Sequence, residues 1–174
     1  MNDHGEWMLL KLTELGEALQ RTAEPLSRRF RLRTASLATH LHGIAALYNA
    51  SFALDGDDAL TPEEVSRMAR QPGIDPDGTF LAMDGDVEVG LCVGSIEVPG
   101  PDDPGGRGYI ELVVVRPEYQ RQGIGRALLN EALKWLTERG VSVVGAVVRD
   151  TTPLAILQRY GFTLADPLPD AVAQ

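Results

Sequence analysis

The segment Val113-Val114-Val115-Arg116-Pro117-Glu118-Tyr119-Gln120-Arg121-Gln122-Gly123-Ile124-Gly125-Arg126-Ala127-Leu128-Leu129 leaves the chain few options. A buried, β-branched strand runs into a proline, then a basic loop spaced by glycines, then a helix. That order gathers backbone N–H groups at a helix N-terminus, a physical site for phosphate or pyrophosphate. Gly123 and Gly125 lack a Cβ, so the backbone can approach a bulky anion. Between Arg107 and Arg126 there are four arginines and two glutamates, a local charge of +2 in a chain whose net charge is −9. The Rossmann fingerprint fails, because Leu128 stands where its third glycine belongs. The triphosphate loop pattern fails as well, because no Gly-Lys-Ser/Thr follows.

The rest of the chain supplies a frame for this unit. Met8, Leu12, Leu15 and Leu19 recur at helical spacing, predicting a helix over 6–29 that Pro25 ends or kinks. Phe30–Thr34 alternates apolar and basic residues and reads as a short strand. Leu37–Phe52 reads as a helix with Leu41, Ile44, Ala45, Leu47 and Tyr48 inward. Thr61-Pro62-Glu63-Glu64 is a helix start, with a threonine cap, proline in the first turn and acidic residues at the positive end of the dipole; that helix ends near Gln71-Pro72-Gly73. Strands follow at Thr79–Met83 and Val87–Val98, joined by the turn Asp84-Gly85-Asp86, with Gly90 and Gly94 either bulged or closely approached. Pro99–Arg107 reads as a flexible loop and Tyr109–Val115 as a strand. Ile124–Arg139 is a helix with Leu128, Leu129, Ala132, Trp135 and Leu136 inward. Val141–Val148 is nearly all apolar, the mark of a strand covered on both faces. Thr152-Pro153 opens a short helix that Gly161 stops, and Phe162–Ala165 reads as a final strand. The whole is a mixed α/β (α+β) domain around a partly antiparallel sheet.

Composition narrows the classes further. A net charge of −9 argues against general nucleic-acid binding, which needs a basic face. One cysteine, Cys92, rules out a disulfide framework and fits a reducing compartment. No apolar run approaches the roughly 18 residues of a membrane span. The first residues, Met1 to Glu6, lack the basic region of a signal peptide, so the expected location is cytoplasmic. His4, His40 and His42 have no metal-ligand spacing, and no metal site is expected.

Gln120-Arg121-Gln122-Gly123-Ile124-Gly125 matches the Q/R-x-x-G-x-G/A signature of the GNAT superfamily of acyl-coenzyme A-dependent N-acyltransferases. The flanking Val115-Arg116-Pro117-Glu118-Tyr119 and Ala127-Leu128-Leu129, the order of elements from Phe30 onward, and the closing Tyr160-Gly161-Phe162 also resemble that family. The resemblance spans about residues 30–165. It implies a mostly antiparallel central sheet with splayed parallel strands flanked by helices. It divides the chain into an N-terminal helical extension, 1–29, and an acetyltransferase-like domain, 30–174. The extension either caps its own domain's sheet or forms a homodimer contact.

The resemblance also implies roles. Backbone amides of Arg121, Gln122, Gly123, Ile124, Gly125 and Arg126, with Gln120 opening the loop, hold the pyrophosphate of acetyl-CoA. Val113, Val114 and Val115 bond the pantetheine arm and the thioester carbonyl. The strand Val141–Val148 splays from its neighbour to leave a wedge for the cofactor. Asp150, Thr151 and Thr152 stand where the family often has an asparagine contacting the cofactor; they serve equally well as helix caps.

The reaction is attack of an amine, on a small molecule or a peptide, upon a thioester, and the ammonium must first lose a proton. Glu111 is the candidate base, on the same strand face as Val113 and Val115 by the period of two; the alternative is a strand glutamate paired with an arginine. The family's tyrosine acid falls on Leu157 here, which has no proton to give. Tyr160, one turn on, is the substitute candidate, or else a packing residue. Asp55, Asp57 and Asp58 form either a solvated turn or an attraction for a cationic acceptor. Three activities fit: an N-acetyltransferase, a non-catalytic acyl-CoA-binding sensor, and a transferase using a longer acyl chain or an oxygen acceptor.

Overall fold

A computed structural model describes residues 6–11, 25–53, 56–97, 106–148 and 151–164. Seven strands form one sheet: β1 (Glu6–Lys11), β2 (Phe30–Thr34), β3 (Ile74–Asp84), β4 (Val87–Glu97), β5 (Arg107–Val115), β6 (Val143–Val148) and β7 (Thr163–Leu164), in the order β2-β3-β4-β5-β6-β1-β7. All neighbours are antiparallel except β5 and β6, which are parallel. Among the described residues, four α-helices flank the sheet: α1 (Leu41–Phe52), α2 (Pro62–Met68), α3 (Ile124–Glu138) and α4 (Thr151–Arg159).

The sheet is covered on both sides. On one face, α3 buries Ile124, Leu128, Leu129, Ala132, Leu133, Trp135 and Leu136 against Phe80, Ala82, Cys92 and Ile110. On the other, Ile44, Ala45 and Leu47 of α1 and Val65 of α2 pack on Leu81, Met83, Leu91, Val93 and Val114. Glycines on β3 and β4 let α3 come close. A Cβ at Gly90 would lie 2.9 Å from Ile124 Cγ2 and Leu128 Cδ1, and one at Gly78 would lie 2.8 Å from the Trp135 ring. The expected close approach at Gly90 is therefore real, and at Gly94 a bulge and an approach to Trp135 coincide.

Several elements differ from the sequence reading. The helix expected over 6–29 is corrected at its start: Glu6–Lys11 is a strand inside the sheet, with Met8 and Leu10 fully buried. The run Trp7-Met8-Leu9-Leu10 is too uniformly apolar for periodicity to separate helix from strand, and pairing with β6 decides it. Of the rest of that reading, 12–24 lies outside the described residues and 25–29 is not helical; residues 98–105 of the loop after β4 and Asp55 also lie outside the described residues. Within the expected extension 1–29, residues 6–11 are thus a strand of the same sheet as the expected domain 30–174. The helix expected from Leu37 is a single 3-10 turn, Leu37–Thr39, then His40, then α1. The strand expected at Thr79–Met83 runs longer, from Ile74.

Two features of register shape the site. β5 pairs with β6 only from Arg107↔Val143 to Ile110↔Ala146, although β5 continues to Val115 and β6 to Val148. Beyond Ile110 the two strands part. In the ladder with β4, Val93 pairs Leu112 and Gly94 pairs Ile110, which leaves Glu111 as an extra residue in a β-bulge.

Candidate active site

The loop between β5 and α3 is built by local bonds. Arg116 N donates to Val89 O at 3.0 Å and Arg116 Nε to Glu88 O at 2.8 Å, so Arg116 clips the end of β5 to β4 rather than hanging in solvent. Pro117–Tyr119 makes one 3-10 turn. Gln120 Nε2 then reaches back to Val115 O at 3.1 Å, and Gln122 Nε2 to Glu118 O at 3.4 Å. Arg121 and Gly123 both have left-handed φ, 59° and 81°. For Arg121 this conformation costs about 1–3 kcal/mol, strain that a functional loop can hold. Alternation of left-handed residues turns successive N–H groups to one side, the geometry of an anion nest.

Gly123 is the N-cap of α3, which has no side-chain cap and no acidic residue in its first turn. The positive end of its dipole therefore meets no carboxylate from its own helix. A Cβ at Gly123 would come within 3.2 Å of the Arg126 guanidinium. Exposed Arg121 and half-buried Arg126 add positive charge. The loop thus has the donors, the charge and the backbone access that a pyrophosphate requires.

Val113 and Val115 pack toward the α3 core, while Leu112 and Val114 face α1. All lie on the stretch of β5 that has left β6, so one edge of Glu111–Val115 faces the parting between the strands. Glu111 does not share the face of Val113 and Val115. The bulge reverses the alternation between Ile110, in the α3 core, and Leu112, against the α1 core. Ser95 Oγ donates a hydrogen bond to Glu111 Oε1. Ser95 alternates along β4 with Leu91 and Val93, which face α1, so the Glu111 carboxylate is on the α1 face. Its partner is a serine, not the arginine of the alternative reading.

Ser95 was not singled out in the sequence, although a lone hydroxyl in the apolar run Leu91–Ile96 is a visible signal; it is 5% exposed. Tyr109, opposite Ser95 in the ladder, donates from its hydroxyl to Glu97 Oε2 at 2.8 Å. Burial first, then the Glu97 carboxylate, pushes its phenol up to about 12, so it stays protonated at neutral pH.

Leu157 is buried in the core. Tyr160 is 1% exposed, and its hydroxyl shares its one proton between Asn130 Oδ1 at 2.5 Å and Arg126 O at 3.2 Å. It thereby joins the end of α4 to the first turns of α3. Gly161 has φ 91° and closes α4, as its sequence position suggests. Asp150 lies outside the described residues. Asp57 and Asp58 sit in a 3-10 turn, Gly56–Asp58. His40 Nδ1 lies 3.0 Å from Glu88 Oε1, and the described residues contain no group of side chains arranged to hold a metal. Nor do they include a helix long and apolar enough to cross a membrane.

This fold is found in known proteins. Among solved structures, the GCN5-related N-acetyltransferase from Sphaerobacter thermophilus superposes with a TM-score of 0.67 at 22% identity, over 92% of this chain and 48% of that one. An aminoglycoside acetyltransferase from a soil metagenome, solved with sisomicin, gives 0.58 at 17% identity, over 76% and 85%. In sequence, the chain is 32% identical over 105 residues to the mycothiol acetyltransferase of Geodermatophilus obscurus, covering 59% of this chain and 34% of the relative. It is 32% identical over 144 residues to that of Thermobispora bispora, covering 81% and 49%. The chain thus spans between a third and a half of the length of these two relatives. The sequence profile of the acetyltransferase (GNAT) family matches residues 41–162, from the first residue of α1 through the Tyr160-Gly161-Phe162 that follows α4. With the parted strands, the nest at α3 and this match in agreement, the chain belongs to the GNAT acetyltransferase family.

Proposed function

We propose that the chain transfers an acetyl group from acetyl-CoA to an amine by direct attack, with donor and acceptor bound together. The observation that carries this reading is the parting of β5 from β6, which leaves a β5 edge between the loop on the α3 side and Glu111 on the α1 side. Acetyl-CoA supplies an activated acyl carbon. Loop amides from Arg121 to Arg126 hold its pyrophosphate, and edge groups of Val113, Val114 and Val115 hold the arm and the thioester oxygen. Glu111 takes the proton that the ammonium must lose, with Ser95 fixing one carboxylate oxygen. The amine nitrogen forms the new C–N bond as the C–S bond breaks; the nitrogen then sheds its second proton to water, and the thiolate takes a proton from water, because Leu157 offers none. Tyr160 acts as a brace for the loop, its proton engaged by Asn130 and Arg126.

Direct attack is favoured over a cysteine-bound acetyl intermediate. The chain's one cysteine, Cys92, is fully buried, and burial pushes its thiol well above the usual range, the opposite of an activated nucleophile. Amines of the mycothiol and aminoglycoside classes head the list of acceptors to test, since proteins of those names share the family. The decisive experiment is thiol release from acetyl-CoA across an amine panel. Release with at least one amine is expected, falling about a hundredfold or more in Glu111→Gln. Tight acetyl-CoA binding without release for any acceptor favours a non-catalytic acyl-CoA sensor, the reading that Leu157 keeps in play.

A further inference from the structure

We infer that β1 is a working part of the donor site: it holds the end of β6 that leaves β5. The pairing register carries this. From Val143 to Ala146, β6 is held on both sides, by β5 and by β1. Among the described residues, Val147 and Val148 have no partner on β5 and pair with Trp7 and Glu6 of β1. A strand that diverges from its neighbour has lost one row of hydrogen bonds, and its direction is then set by the other row. The angle between β5 and β6 beyond Ile110 is therefore set by the first residues of β1.

β1 is itself firmly seated below that point. Met8 and Leu10 are fully buried in the α3-side core with Val144, Ala146, Leu157, Tyr160 and Phe162. Among the described residues β7 pairs Met8 and Leu9, and Glu6 and Trp7 pair Val148 and Val147 of β6. The proposal rests on the reading that acetyl-CoA lies in the parting of β5 and β6. It adds that binding there is coupled to β1, a segment outside residues 41–162, where the family profile matches.

The test uses the full chain and acetyl-CoA as the probe, so no acceptor is needed. Successive strand residues send their N–H groups to opposite neighbours, so one of Glu6→Pro and Trp7→Pro removes a bond to β6. That variant is expected to weaken acetyl-CoA binding about tenfold, read by calorimetry at a temperature where it remains folded. Leu47→Ala, in the α1-side core, should lower the melting temperature yet keep wild-type affinity. Two folded proline variants that bind like the wild type overturn the inference.

Hydrogen exchange on the wild type decides the matter if neither proline variant folds. By reciprocity, bound acetyl-CoA must slow exchange at Glu6–Met8 together with Val147 and Val148; unchanged exchange in β1 overturns the coupling. A wild type that binds no acetyl-CoA overturns the donor-site reading first, whereas loss of binding in Gly125→Glu with unaffected proline variants leaves that reading standing and removes only the role of β1.

Discussion

A methyl group added at Gly125 meets only Val115 Cγ2, at 3.6 Å, and Gly125 does not have a positive φ. Nothing among the described residues therefore demands glycine there, unlike Gly123, where the positive φ does. Gly125→Ala should leave the fold intact or stabilise α3 by about 0.5–1 kcal/mol. If the loop amides hold the pyrophosphate, the same change weakens acetyl-CoA binding; a more stable protein with unchanged affinity would show the glycine to be incidental. For Tyr160→Phe, thiol release should persist near the wild-type rate, with a stability loss of about 1–2 kcal/mol from the bonds to Asn130 and Arg126. A collapse of turnover with retained acetyl-CoA affinity would instead make Tyr160 the acid. Glu111 shows the limit of reading single residues. Its type and strand were legible, but the side it faces was not, because an inserted residue in a ladder shifts the alternation without leaving a mark in β5's own sequence.

Elements whose ends are written in local chemistry were the readable ones. Thr61 caps α2 through a bond from Glu64 N at 3.2 Å, and Glu64 Oε2 accepts from Thr61 N at 2.8 Å, completing a capping box. Thr61→Ala should cost about 1 kcal/mol in a denaturant titration. Glu64 is held below the usual carboxylate range, first by the Thr61 backbone N–H and then by its hydroxyl. Because its folded value is depressed, the contribution is present at neutral pH and disappears as pH falls through that value. The stability gap between wild type and Glu64→Gln should accordingly narrow on acidification; a gap constant with pH would sink the assignment. The 3-10 turn at Leu37–Thr39 was missed for a related reason. Ser36 Oγ accepts from Ala38 N, a local bond that competes with continuous helix.

Across the whole sheet, the first and last described strands meet, because β1 lies between β6 and β7. A chain begun at Phe30 would lose two fully buried side chains, Met8 and Leu10, each worth about 1.5–3 kcal/mol of burial, and would uncover the edge of β6. Such a chain should show no cooperative thermal transition; a sharp one near the wild-type temperature would restore the division at residue 30. By itself, the sequence determined the unit of strand, loop and helix that is proposed to hold the donor, the capped α2, and the apolar strand β6. Each is a property of neighbouring residues: glycine's access to positive φ, the cap's reach to an N–H, the period of apolar side chains. Only the tertiary structure decided that Glu6–Lys11 is strand rather than helix, that β5 and β6 part after Ile110, and that Glu111 turns to Ser95. Those outcomes depend on which distant backbone supplies the hydrogen bonds, and a short apolar run takes whichever form its partner satisfies.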